Sequence, residues 1–145
     1  FCDSFVGAAA GTTAVLNVTG NGTRVNIGQN LFVAHPGLAV QHLDGYTYGV
    51  PGGTTRGTVN VGDGAVLSTD RATVGTRHWS TNATGFERNL AEVNVSGAGS
   101  RWVVTGGQTV LNHATGQVGE AGASISTAND SNAWATLNIS NGGVI

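Results

Sequence analysis

Apolar and polar positions alternate in four short stretches of the chain: Val15-Leu16-Asn17-Val18, Thr58-Val59-Asn60-Val61, Glu92-Val93-Asn94-Val95 and Thr136-Leu137-Asn138-Ile139. In each, an Asn sits between two apolar residues, and a Gly-rich turn follows within a few residues. A period of two is the pattern of a half-buried strand: the apolar members point to one face and the Asn to the other. A second recurring piece reads Ser4-Phe5-Val6-Gly7, Leu31-Phe32-Val33-Ala34, Ala72-Thr73-Val74-Gly75 and Thr109-Val110-Leu111-Asn112. Strong helix formers in amphipathic spacing are missing, so almost no helix is expected.

These pieces belong to a longer repeat. Leu16-Asn17-Val18-Thr19-Gly20-Asn21-Gly22-Thr23-Arg24-Val25 matches Val93-Asn94-Val95-Ser96-Gly97-Ala98-Gly99-Ser100-Arg101-Trp102 without a gap, at a shift of 77 residues. The stretches 35–67 and 113–145 are equal in length and end alike, in Val59-Asn60-Val61-Gly62-Asp63-Gly64 and Leu137-Asn138-Ile139-Ser140-Asn141-Gly142. The unit therefore holds two related coils. Each has a first strand, a Gly turn, a short second strand and a third strand.

A coil of about 20 residues cannot bury its apolar side chains alone; stacked on a like coil, it forms three parallel sheets around one narrow core. The expectation is an all-β parallel β-helix (β-solenoid) with three short strands per coil and about four coils. It forms a single segment over 1–145, with units 16–92 and 93–145 after a partial coil 1–15. Asn17, Asn60, Asn94 and Asn138 are expected to stack as a ladder at the ~4.8 Å spacing of neighbouring strands. An immunoglobulin-like sandwich would share the strand content but not the coil-level self-match.

The segments quoted above resemble the repeats of type V secretion (autotransporter) passengers and of PEP-CTERM-associated surface proteins, in which a coil like Val95-Ser96-Gly97-Ala98-Gly99-Ser100-Arg101-Trp102 alternates with one like Ile139-Ser140-Asn141-Gly142-Gly143-Val144. The resemblance covers most coil residues but not the loops. It implies an extracellular or bacterial cell-surface β-helix acting as structural scaffold or adhesin, and it carries no catalytic residues.

Long connections follow three of the presumed third strands, from His35, Thr76 and His113, and are expected to leave from one corner. They collect Tyr46, Tyr48, Trp79, Phe86 and Trp134, as well as His35, His42, His78 and His113. Either the aromatics cover the open edge of the core, or they form a binding face for a glycan or a host surface protein. His35 and His113 occupy equivalent places two coils apart, too far for a shared metal ion, and turn hydrogen bonding is their expected role.

Composition narrows the classes further. Gly contributes 24 of 145 residues and charged residues only 10%; the net charge is −2, and the six basic residues are all Arg. Six scattered Arg do not form a basic stripe for nucleic acid. The apolar runs are too short to insert in a membrane. The acids (Asp3, Asp44, Asp63, Asp70, Glu87, Glu92, Glu120 and Asp130) are scattered, and no nucleophile-elbow, zincin or phosphate-loop motif occurs. No catalytic residue, metal site or cofactor is therefore expected, and a polysaccharide-active enzyme ranks last among the functions. Cys2, the only cysteine, rules out an internal disulfide and is expected as a small buried residue. Sequons at Asn17, Asn21, Asn82, Asn94, Asn129 and Asn138 read as by-products of an Asn/Thr/Ser-rich repeat. The chain begins without Met in the closing half of a coil and stops after the opening half of one. This reads as a segment of a longer helix, or as a subunit that self-associates through its coil ends into a fibre.

Overall fold

The computed structural model describes residues 3–8, 11–35, 40–41, 47–48, 54–75, 89–106, 108–111, 118–121, 123–127 and 133–145. Among them the chain is all strand and turn, without helix. Two parallel sheets dominate. The first contains β2 (Thr13–Val18), β6 (Thr55–Val61), β8 (Asn89–Ser96) and β13 (Ala133–Ser140), in that spatial order. The second contains β1 (Ser4–Val6), β3 (Arg24–Val33) and β7 (Val66–Val74), with β9 (Arg101–Val104) and β12 (Ser124–Thr127) both pairing β7. Two short antiparallel pairs stand apart from them: β4 (Val40–Gln41) with β5 (Thr47–Tyr48), and β10 (Gln108–Leu111) with β11 (Val118–Ala121).

Each pass of the chain lays one strand in the first sheet, turns, and continues into the second. Like residues meet like: Leu16 pairs with Val59, Val59 with Val93, and Val93 with Leu137. Alternation then sorts the faces. Val18, Val59, Val61, Val93 and Val95 of the first sheet and Leu31, Val33, Leu67 and Val74 of the second are fully buried between the sheets. Trp102 closes the core over Leu67, its indole N–H donating to Thr69 Oγ1 at 3.1 Å. A buried indole without that acceptor would cost about 1–3 kcal/mol.

The turns explain where the chain changes sheet. Gly62-Asp63-Gly64-Ala65 and Ser140-Asn141-Gly142-Gly143 each close with a hydrogen bond from the fourth residue to the first, at 3.0 and 2.8 Å. Both central residues have positive φ: 54° and 79° in one, 50° and 81° in the other. Asp-Gly and Asn-Gly are the pairs that accept this type I′ pattern. The alternating coils use a different turn, closed by Thr23 N–H to Gly20 O and by Ser100 N–H to Gly97 O.

The structure revises three expectations. The second and third strands of a rung do not form separate sheets. In β3 and β7 they run end to end in one sheet, with a register shift between Ile27 and Asn30 marking the join. One extra residue there bends the strand while keeping the core side chains inward on both sides. The segment Thr109–Leu111 is not the third strand of its coil: it pairs with Val118–Glu120 in the β10–β11 hairpin, and Ser124–Thr127 takes the place against Arg71–Val74. That long insertion therefore leaves between second and third strands, whereas those after His35 and Gly75 leave past the third strand. The connections do not share one corner. His113 lies outside the described residues, as does Cys2, and the strand exit equivalent to His35 falls after Thr127. His35 itself donates its backbone N–H to Gly7 O at 2.8 Å. Its ring lies edge-on to Phe5 and Phe32, which stack at 5.1 Å.

Candidate functional site

Because side chains alternate along β2, β6, β8 and β13, with the core taking every second residue of β6 and β8, the residues between form an outer face in vertical files. The file nearest the Gly turns is Asn17, Asn60, Asn94 and Asn138, in direct register. Each amide donates from Nδ2 to Oδ1 of the Asn one rung back, at 2.8 Å in all three steps. The three bonds share one polarity, so the ladder is a row of aligned amide dipoles on the surface. Two of the sequons, Asn94 and Asn138, therefore have their amide nitrogen committed to this ladder, whereas Asn17 enters it only through its oxygen.

The next file outward is Val15, Thr58, Glu92 and Thr136, and the one beyond it Thr13, Arg56, Leu90 and Trp134. Asn138 Nδ2 also approaches Glu92 Oε1 at 3.4 Å, tying the acid to the ladder. Arg56, Thr58, Leu90, Glu92, Trp134 and Thr136 line a shallow groove of about 210 Å³ on this face. Trp134 is 47% exposed there, with Leu90 as its strand neighbour.

The groove combines an aromatic face, a guanidinium, a carboxylate, hydroxyls and an amide ladder. Aromatic rings offer large contact area at small entropic cost, and a few placed donors and acceptors fix orientation. A ligand with one apolar face and a rim of hydroxyl groups matches that set. No group of three or more His, Cys, Asp or Glu that could hold a metal ion is present among the described residues.

Of the five aromatic candidates, only Trp134 has a described side chain. It belongs to β13 rather than to a corner loop, because that strand begins at Ala133. Tyr48 lies in β5, where its backbone pairs with Val40. Tyr46, Trp79 and Phe86 lie outside the described residues. The structure thus places Trp134 on the same face as the ladder Asn residues, along with Arg56, Leu90 and Glu92, which were not among the sequence candidates. The signal for two of them was present: Arg56, Leu90 and Trp134 each stand four residues before their ladder Asn. No family model, curated protein or solved structure matches the chain.

Proposed function

We propose that this chain is a β-helix (β-solenoid) segment of an extracellular or bacterial cell-surface protein. It acts as a scaffold that carries an adhesive face and has no catalytic role. The observation that carries the reading is the in-register Asn ladder, with three steps of 2.8 Å across four rungs. Identical amides meet at every step only when successive rungs repeat the same path. A stack of that kind suits a rod that displays groups at fixed intervals. The adhesive part is the groove of Trp134, Arg56 and Glu92, and the ligand class is a neutral glycan, one sugar face resting on the indole.

The test is retention of the purified chain on immobilised neutral glycans, with Trp134→Ala and Glu92→Gln as variants. Both side chains project from the outer face, so the circular dichroism of the variants stays that of the parent chain. Removing an exposed aromatic anchor lowers affinity about tenfold, the equivalent of about 1.4 kcal/mol. Retention unchanged in both variants removes the adhesive face from the proposal. Antibody labelling of intact native cells checks the location, and signal appearing only after lysis contradicts it.

A further inference from the structure

A second groove lies elsewhere, at the turns where the chain passes from the first sheet to the second. It encloses about 640 Å³ and is lined by the turn backbones at Gly22, Gly64 and Gly99 and by Arg24, Asp63, Val66 and Arg101. Arg24 pairs in register with Val66, and Val66 with Arg101, so the guanidiniums stand on alternate rungs with an apolar residue between them. Two strand spacings separate them by ~9.6 Å along the stack. Both are exposed, and no ion pair or hydrogen bond engages either guanidinium among the described residues. Their placement follows the 77-residue repeat, which puts Arg in this position of one coil type and Val in the other.

We infer that this groove binds a linear acidic polysaccharide lying along the stack, one that carries a carboxylate on every second sugar. Two rungs are about the length of two extended pyranose rings, so carboxylates two sugars apart meet Arg24 and Arg101 together. A guanidinium holds a carboxylate through two parallel N–H···O bonds. The intervening uncharged sugar sits over Val66, and Asp63, on the middle rung, accepts from its hydroxyls. Asp63 also sets the charge density of the ligand: a polymer with a negative charge on every unit places one against this carboxylate. Single-stranded nucleic acid fits poorly for that reason, and because no aromatic ring lines the groove for base stacking. The site shares no residue with the Trp134 groove and stands independently of it.

The experiment measures binding of the purified chain at low ionic strength to hyaluronan, which carries a carboxylate on alternate sugars, beside polygalacturonate, dextran and polythymidylate. Hyaluronan is expected to bind best and to weaken as salt is raised. Arg24→Ala and Arg101→Ala each reduce its affinity roughly tenfold, in line with loss of a charge-assisted hydrogen-bonded pair. Arg71→Gln removes the same charge elsewhere and leaves binding within about twofold, which separates a site from a general charge effect. Asp63→Asn keeps a residue suited to the type I′ turn and narrows the preference for hyaluronan over polygalacturonate. Absence of hyaluronan binding, equal loss in Arg71→Gln, or tighter binding of polythymidylate overturns the inference. Trp134→Ala leaves this binding intact, so failure here and failure of the adhesive-face reading are read separately.

Discussion

Gly57 shows how much a single position in a stacked rung is constrained by its neighbours. It stands in a file with Ala14, Ala91 and Ala135, all small and all facing the core side. A Cβ on Gly57 would lie 2.4 Å from both Ala34 N and Val6 O, which are backbone atoms and have no rotamer to yield. Those atoms are themselves joined by the Ala34 N–H to Val6 O hydrogen bond at 2.8 Å. Gly57→Ala is therefore expected to cost about 3 kcal/mol, the upper range for overpacking, in denaturant unfolding. Gly22→Ala gives the contrast: its Cβ meets nothing within 4 Å, and only the φ of +84° opposes it. That costs about 1 kcal/mol. Equal losses would mean that backbone conformation rather than close approach sets the requirement at Gly57. The two glycines look alike in the sequence, since local pattern does not encode which rung edge will press on a residue. The ladder Asn residues were readable for the opposite reason: their neighbours are copies of themselves.

Among the elements, those fixed by turn chemistry were legible and those fixed by register were not. Asp63-Gly64 and Asn141-Gly142 mark their turns in the sequence, and the first-sheet strands precede such turns at constant offset. Thr109-Val110-Leu111 is a strand-forming triplet much as Leu31-Phe32-Val33 is, yet one pairs in a hairpin and the other in the stack. Ser124-Ile125-Ser126-Thr127 offers a single strongly apolar residue and still holds the third-strand place on β7. The dipeptide Asp44-Gly45, in the sequence between β4 and β5, is a hairpin signal that belongs to no repeated piece. The β10–β11 hairpin can then be treated as an insertion between two strands already seated side by side. β9 ends opposite Thr69 and β12 begins opposite Arg71, positions two residues apart on β7. Deleting 107–122 joins Gly106 to Ala123 and leaves a short link like the Gly28-Gln29 join in β3. The shortened chain is expected to keep its far-ultraviolet strand signal and to lose less than about 1 kcal/mol in denaturant, since shortening a loop lowers the entropy of closing it. Loss of cooperative unfolding would instead show that the hairpin is part of the stack.

At the scale of the whole molecule, stability should follow position in the stack. β6 is paired on both sides, by β2 and β8; β8 by β6 and β13; and β7 by β3 on one side and by β9 and β12 on the other. Their inward residues, Val59, Val61, Val93, Val95, Leu67 and Val74, are all fully buried. Opening any one of these strands breaks two ladders and uncovers apolar surface on adjacent rungs. The β4–β5 and β10–β11 pairs have one partner each, and a two-stranded antiparallel pair is marginal alone. Amide hydrogen exchange reads this directly, because each region opens with its own free energy. The hydrogen-bonded amides of Val59–Val61 and Val93–Val95 are expected to exchange at least about 100-fold more slowly than those of Gln108–Leu111, a gap of about 2.7 kcal/mol. Exchange at one common rate would mean that hairpin and stack open together as a single cooperative unit, so that the insertion is bound to the stack more firmly than its own pairing provides.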